Sequence, residues 1–304
     1  MKLSLKNWIR ELRYSYYTIG FIQGGLDAVM KCPQTEIEAD FIKWNLIDNN
    51  GSWFADPFVL DVTDDAIVVL TEEMPRHIHK GVITKLTIDR NSFEVIKKKV
   101  VLELPNHLSF PDVVRCDDKV FICPENGLSG PLCMYEYNKE SEIFEFKKVI
   151  CDDVVWDSAV TDLFGDRYLF TAAKDDYCLD IYKWNEEKER FTAYQQIISK
   201  DRDSRLAGEP FHYEGKTYYP AQLCDKYYGR GVVIKEIEYD NDKFTTHKYR
   251  TLFSPHKTLR LGMHTLNHYK GIVVIDVKGF KHRHIGPIVN GVVSFILKLQ
   301  GKSI

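Results

Sequence analysis

The stretch GSWFADPFVLDVTDDAIVVLTEE, residues 51–73, predicts two apolar β-strands joined by an acidic turn. An acid, Asp56, stands at the start of the first strand, directly before Pro57. Asp and Pro are common turn residues, but a carboxylate fixed at a strand end is also suited to acid–base chemistry. The rest of the chain is needed to choose between these interpretations.

The second half of this stretch recurs along the chain. Strand–turn–strand units follow at RCDDKVFICPEN (115–126), LFGDRYLFTAAK (163–174), HYEGKTYYPAQL (212–223) and NHYKGIVVIDVK (267–278). A polar anchor precedes each turn, and the anchors are Asp56, Asp112, Asp157, Glu209 and His264. Their spacings of 56, 45, 52 and 55 residues suit one four-stranded sheet per unit. We therefore predict an all-β fold, a five-bladed β-propeller, rather than a β-sandwich.

The fifth unit has only two clear strands before the C-terminal tail. A propeller has to close, because open sheet edges invite mispairing. The N-terminal segment offers two strands, YYTIGFIQ (16–23) and DFIKWNLI (40–47). We predict that strands within residues 16–47 complete blade 5, so that residues 1–304 form one domain. Short helices are expected at residues 5–12, covering the outside, and in the tail at 285–304.

Composition limits the class of function. The chain has 41 basic and 44 acidic residues, a net charge of -3, which argues against a general nucleic-acid binder. Its seven cysteines are scattered without a CxxC pair, and we interpret them as reduced thiols of a cytoplasmic protein rather than as disulfides or a zinc site. No His or Cys pair has a third metal ligand at a compelling spacing, so no metal site is predicted.

Two features bear on membranes. The N-terminus has no signal-peptide pattern, and no apolar stretch approaches the ~20 residues of a spanning helix. The tail IGPIVNGVVSFILKL (285–299) is nevertheless apolar. We expect it to dock on the protein or, alternatively, to contact a membrane surface or a partner.

The first strand of each propeller blade lines the central channel, so the five anchors should converge near the axis. Carboxylates that are forced together have perturbed pKa values, as acid–base catalysis requires. The alternative is that Asp and Pro at blade starts serve only as turn and cap residues. Five anchors at equivalent positions favour a site.

The order ADPF, WDSAVTD and GEPFHYEGKTYYP resembles the five-bladed propellers of glycoside hydrolase family 43 and related furanosidases. The resemblance implies Asp56 as general base or nucleophile, Asp157 as the modulating and orienting residue, and Glu209 as general acid. It also implies that His264 lies near an ion or water on the channel axis. Two carboxyl groups across a glycosidic bond are what glycoside hydrolysis requires.

One departure from that family concerns the acid. Glu209 directly precedes Pro210, whereas family 43 usually has one residue between them. A shift of one residue in a strand turns a side chain to the opposite face. Glu125, in the segment PEN (124–126), is therefore the alternative acid.

A second resemblance covers roughly residues 15–280. The segments FADPF, KGVI (80–83), HLSFP (107–111), RLAGEPF (205–211), AQLCDKYYG (221–229) and GMHTLN (262–267) resemble the N-terminal domain family of glucosamine inositolphosphorylceramide transferase and bacterial polysaccharide-biosynthesis relatives. In the plant protein a separate glycosyltransferase domain is expected to transfer the sugar.

These shared segments supply candidate substrate-binding residues beside Asp112 and His264. Arg205 is suited to an anionic sugar or phosphate, His107 and Gln222 to sugar hydroxyls, and Tyr228 to stacking on a sugar ring. The alternative for these residues is hydrogen bonding between blades.

We therefore expect an enzyme that acts on a glycosidic bond in glycan or polysaccharide metabolism, as a hydrolase or a transferring enzyme. The alternatives are a non-catalytic propeller that binds a glycan or glycolipid for a partner glycosyltransferase, and a structural interaction module. The sugar, the linkage and the stereochemical course stay open.

Overall fold

The N-terminal segment contains two short helices and two strands. The structure is a computed structural model that describes residues 5–38, 40, 42–45, 51–75, 80–127, 129–172 and 177–299. The segment comprises α1 (Leu5–Leu12), β1 (Ser15–Ile22), α2 (Gly25–Met30) and β2 (Ile42–Asn45).

Four antiparallel sheets of four sequential strands follow. Blade 1 comprises β3 (Trp53–Val62), β4 (Ala66–Met74), β5 (Val82–Asp89) and β6 (Val95–Leu102). Blade 2 comprises β7 (Ser109–Cys116), β8 (Lys119–Glu125), β9 (Leu132–Asn138) and β10 (Ile143–Cys151). Blade 3 comprises β11 (Trp156–Leu163), β12 (Asp166–Ala172), β13 (Cys178–Asn185) and β14 (Arg190–Ile198). Blade 4 comprises β15 (Phe211–Tyr213), β16 (Lys216–Leu223), β17 (Gly231–Asp240) and β18 (Lys243–Leu252).

Blade 5 is built from both ends of the chain. Its strands β19 (Leu266–Tyr269) and β20 (Ile272–Phe280) are followed in the sheet by β1 and β2, in the order β19-β20-β1-β2. Eight residue pairs join β1 to β20, from Ser15–Phe280 to Ile22–Val273. The predicted five-bladed propeller, with its last blade closed by N-terminal strands, is confirmed.

The second strand of each blade is buried on both faces, because the blade packs against a neighbour on each side. This explains the uninterrupted apolar runs in β4 and β20, whose residues Val69, Leu70, Val274 and Ile275 are fully buried. A fourth strand such as β6 instead carries exposed charges, including Lys97 and Lys98. The apolar core therefore lies between blades.

The helices at the two chain ends meet beside blade 5. Helix α3 (Ile285–Leu299) follows β20, and its Asn290 Oδ1 accepts a hydrogen bond of 2.9 Å from Arg13 Nε, just after α1. Within the described residues, no helix is long and apolar enough to cross a membrane. The seven cysteines, all of which the structure describes, form no disulfide.

Replacement of Ile19 in β1 tests the closure of the ring. Ile19 is fully buried in a cluster that joins blade 5 to Phe54 and Val59 of blade 1. We expect Ile19→Ala to lower the free energy of unfolding by about 2–5 kcal/mol, measured by urea denaturation, because it leaves a cavity. Ile96→Ala, at an exposed position on β6, is the matched control and should change it by less than about 0.5 kcal/mol. Equal effects would contradict the packing of β1 in the core.

Candidate active site at the channel mouth

The inner strands of blades 1 to 3 each have a β-bulge near their start. In each, two residues face a single residue of the neighbouring strand; the bulged pairs are Asp56–Pro57, Phe110–Pro111 and Asp157–Ser158. The first residue of each pair is left-handed, with φ of 47°, 44° and 40°. Asp tolerates this conformation better than most side chains, and bulges re-aim side chains beside active sites. Asp56 and Asp157 therefore occupy equivalent, strained positions.

Asp56, in blade 1, is held by contacts from blades 2 and 5. Its Oδ2 accepts a hydrogen bond of 3.1 Å from the N–H of Phe110, and its own N–H donates to Asp276 Oδ2 at 3.1 Å. Its Oδ1 lies 3.5 Å from His264 Nε2. Burial raises the pKa of Asp56 well above its usual range; His264 opposes this shift, and Glu72 reinforces it.

His264 and Asp276 form a buried ion pair. His264 Nδ1 lies 2.6 Å from Asp276 Oδ2, and Asp276 Oδ1 accepts the backbone N–H groups of His264 and Thr265. Burial alone would lower the pKa of His264, but Asp276 and Asp56 outweigh it and raise this pKa. The pKa of Asp276 is lowered despite its burial, because His264 stabilises the carboxylate. Tyr17, from β1, stacks on the imidazole with ring centroids 4.7 Å apart.

Asp157 is the centre of a second group. Its N–H donates to Glu125 Oε2 at 3.0 Å, while its Oδ2 accepts hydrogen bonds from Arg205 Nε at 2.5 Å and Gln222 Nε2 at 2.7 Å. The Arg205 guanidinium lies 5.2 Å from the ring centroid of Tyr228. Burial would lower the pKa of Arg205, but the charge of Asp157 raises it instead. These contacts fix Asp157 and leave Glu125 beside it.

Two glutamates lie in the same group of side chains as Asp56, Asp157 and His264, and we call this group the mouth. Both glutamates are held in the neutral form. Burial raises the pKa of Glu72 and of Glu125 to about 8 in each case; the charge of Glu125 adds to the shift of Glu72, and that of Asp157 to the shift of Glu125. A hydrogen bond with the Asp56 carboxyl opposes the shift of the Glu72 pKa without cancelling it. A carboxylic acid that stays protonated near neutral pH is able to act as a general acid.

His107 lies beside Glu72. Its Nδ1 accepts a hydrogen bond of 2.9 Å from the N–H of Gly81. The neutral imidazole therefore carries its proton on Nε2, which lies 3.4 Å from Glu72 Oε1. Burial lowers the pKa of His107, which favours this neutral form.

The structure places Asp112 and Glu209 in a separate group along the inner strands. Asp112 Oδ2 accepts the N–H of Val160 at 2.9 Å, and burial together with Glu209 raises the pKa of Asp112. Burial raises the pKa of Glu209 to about 7, opposed by Arg115 and by a hydrogen bond from the N–H of Val113. The carboxyl beside Asp157 is thus Glu125.

The remaining sequence-predicted residues come together at the mouth: Asp56, His107, Glu125, Asp157, Arg205, Gln222, Tyr228 and His264. Sequence reasoning missed Glu72 and Asp276. A signal for Glu72 exists, because DDAIVVLTE (64–72) aligns without a gap on DDKVFICPE (117–125) and matches it to Glu125. Asp276 is a lone acid inside the apolar strand β20.

One group of three side chains in the described part of the chain has the spacing of a metal site. Ligand atoms of Asp56, His264 and Asp276 lie within 4.8 Å of one another. His264 Nδ1 also pairs with Asp276 Oδ2 at 2.6 Å. An ion or water near His264 stays a prediction.

The fold is similar to that of several solved carbohydrate-active propellers. RS223-Beta-xylosidase matches 75% of this chain and 92% of its own chain with a TM-score of 0.54 and 12% sequence identity. A GH43 beta-xylosidase/alpha-arabinofuranosidase from a compost microbial metagenome matches 73% and 84%, with a TM-score of 0.52 and 15% identity. At identities this low, the structural match shows the class of fold alone. That fold is a five-bladed propeller of the kind seen in glycoside hydrolase family 43.

The chain belongs to the family described as glucosamine inositolphosphorylceramide transferase 1, N-terminal, whose model matches residues 44–277. It is 27% identical over 161 residues to the transferase of that name from Oryza sativa subsp. japonica, across 50% of this chain and 21% of that protein. The Arabidopsis thaliana transferase is 23% identical over 199 residues, across 62% and 26%. The chain thus spans about a quarter of the length of these relatives.

Stability against pH tests the protonation of Glu125. The folded pKa of Glu125, about 8, exceeds the ordinary value of 4.5. The contribution of Glu125 to the free energy of unfolding is therefore complete below pH 4.5 and is lost as the pH rises through about 8. Glu125→Gln removes this loss. Relative to the unmodified protein, the variant should gain about 1–4 kcal/mol in free energy of unfolding between pH 5 and pH 8, measured by urea denaturation.

The control is Glu140→Gln, at an exposed position. It should show no gain over the same pH interval. Parallel pH profiles for Glu125→Gln and the unmodified protein would show that Glu125 is ionised at neutral pH.

Proposed function

We propose that this propeller binds a glycan at the channel mouth and acts on one of its glycosidic bonds by acid–base catalysis. The supporting observation is that carboxyl groups from four blades meet there; they are Asp56, Glu72, Glu125, Asp157 and Asp276. Burial and mutual repulsion keep Glu72 and Glu125 protonated while Asp276 is paired with His264. Neutral acids beside a fixed carboxylate are the arrangement that glycosidic bond cleavage uses.

Glu125 is the proposed general acid. Its pKa of about 8 leaves the proton in place at neutral pH, and the N–H of Asp157 orients its Oε2. Asp157, held by Arg205 and Gln222, is a positioning residue. Glu209 is placed with Asp112 and Arg115 instead, so it is not assigned this role.

Asp56 is the proposed base. Burial raises the pKa of Asp56, which makes its carboxylate a stronger proton acceptor, while the Phe110 N–H and the nearby His264 oppose this shift. As the glycosidic C–O bond breaks, the leaving oxygen takes the proton of Glu125. The acceptor oxygen bonds to the anomeric carbon and gives its proton to Asp56. A water acceptor gives hydrolysis, and a sugar hydroxyl gives transfer.

Tyr228 is the proposed stacking platform for the sugar. It is exposed, and its ring lies 5.6 Å from that of His264 and beside Arg205. The following residue, Gly229, has φ of 65°, and a Cβ there would lie 2.7 Å from His264 Cβ. Only glycine allows the loop to approach the imidazole this closely, which fixes Tyr228 over the mouth.

A second candidate function is glycan binding without catalysis, in support of a glycosyltransferase. It is favoured by the length of the match, since the chain spans only about a quarter of the length of relatives that are named as transferases. It is also favoured by Asp157, whose Oδ2 is already engaged by two donors. Turnover distinguishes the two functions.

Kinetics of isosteric variants test the catalytic proposal. The first substrates are 4-nitrophenyl xylosides and arabinofuranosides, followed by oligosaccharides, with binding measured by calorimetry. Glu125→Gln and Asp56→Asn should each lower kcat by about 10²–10⁴-fold while Kd changes by less than about threefold.

Glu209→Gln is the control for a half-buried glutamate that lies with Asp112 and Arg115 instead, and it should lower kcat by less than about tenfold. A larger effect of Glu209→Gln than of Glu125→Gln would transfer the acid role to Glu209. Binding by the unmodified protein without turnover would support the second candidate.

The pH dependence of kcat/KM gives a separate test. Because Glu125 has to be protonated to donate, kcat/KM should fall about tenfold per pH unit above a pKa of about 8. Activity that rises continuously from pH 7 to pH 10 would exclude Glu125 as the acid.

A further inference from the structure

Helices α1 and α3 lie at the mouth end of blade 5. Strand β1 begins and β20 ends there, with Ser15 paired to Phe280, and the N–H of Lys281 donates to the carbonyl of Tyr14 at 2.9 Å. The same two strands supply Tyr17 and Asp276 to the mouth. The helix pair therefore continues beyond the level of the candidate site.

Helix α3 presents a continuous apolar stripe. Its members are Ile285, Ile288, Val292, Phe295, Ile296 and Leu299, each between 46% and 72% exposed. At about 100° per residue these six positions fall within an arc of about 100°. The helix also has an inward face, because a Cβ on buried Gly286 would lie 2.8 Å from Phe280 Cβ. On the neighbouring helix, Trp8 is 55% exposed.

The two terminal segments of the sequence that include these helices are basic, in contrast to the rest of the sequence. Residues 1–14 and 280–304 together contain eight basic residues and one acidic residue. The other 265 residues contain 33 basic and 43 acidic residues. An apolar stripe on a segment of basic sequence matches the surface of a bilayer with anionic headgroups.

We propose that the pair of helices α1 and α3 docks on an anionic lipid bilayer. The α3 stripe and Trp8 insert at the boundary between headgroups and acyl chains, while Arg10 and Arg283 contact the headgroups. Helix α3 has 15 residues and is about 22 Å long, shorter than the ~30 Å hydrocarbon core, so it lies along the interface. Docking brings the channel mouth toward the membrane surface. This inference does not depend on the proposed catalytic function.

Flotation of the full chain with lipid vesicles tests the proposal. One set of vesicles contains phosphatidylcholine alone, and the other contains about 30% phosphatidylserine. We expect binding to the anionic vesicles, weaker binding to the neutral ones, and partial release at high salt as charges are screened.

A matched pair of double variants separates the stripe from general exposed apolar surface. Ile288→Ser with Phe295→Ser should weaken binding about tenfold or more. Ile198→Ser with Phe146→Ser, on outer strands, should leave it unchanged. The two pairs have the same residue types and similar exposure, 67% and 64% against 69% and 62%.

A charge variant, Arg10→Gln with Arg283→Gln, should weaken binding to anionic vesicles by about fivefold per cation and leave binding to neutral vesicles unchanged. Thermal melting checks that each variant is folded.

Absence of binding by the folded, unmodified chain would overturn the proposal, as would an equal loss in the control pair. Light scattering tests the alternative that a second copy of the chain binds to the stripe. A dimer that Ile288→Ser with Phe295→Ser converts to a monomer, without any binding to vesicles, would show that a second copy covers the stripe.

Discussion

Antiparallel pairing between β1 and β20 is the interaction on which the other features of this propeller depend. It joins the two ends of the chain into blade 5 and removes the sheet edges that an open ring would expose. It places Ile19 opposite Asp276, so the strand that closes the ring also fixes the carboxylate that pairs with His264. Because α1 and α3 are attached to these strands, the same pairing brings the two helices together at the mouth.

The buried acids at the mouth are compatible with a stable fold because each has a partner or is neutral. Asp276 is paired with His264, and Asp157 with Arg205. Glu72 and Glu125 keep their protons, since ionising them would add unpaired charge to a site of low dielectric. Clustered acids of this kind oppose folding as the pH rises, and proteins retain such costs at functional sites.

The fold was predictable because the apolar strand pairs and polar turns repeat at intervals near 50 residues, and because a ring has to close. The site was predictable only in part. The choice of a polar anchor in each unit equated Asp112 with Asp56, but the bulge of blade 2 falls at Phe110, two residues earlier. A bulge shifts the register of a strand without leaving a reliable mark in the sequence.

The positions of Glu209 and Glu125 were also predictable only in part. Glu209 directly precedes Pro210 in the sequence, unlike the family 43 spacing, and the structure places Glu209 with Asp112 while Glu125 lies beside Asp157. Asp276 could not be assigned from the sequence, because an acid within an apolar strand acquires its partners only when β1 closes the ring.

The central claim is that buried glutamates at the mouth keep their protons near neutral pH. Its most direct measurement is a carboxyl ¹³C NMR titration of glutamate-labelled protein, with Glu72→Gln and Glu125→Gln used to assign the resonances. We expect Glu72 and Glu125 to titrate near pH 8. Titration of both at the ordinary value near 4.5 would contradict it.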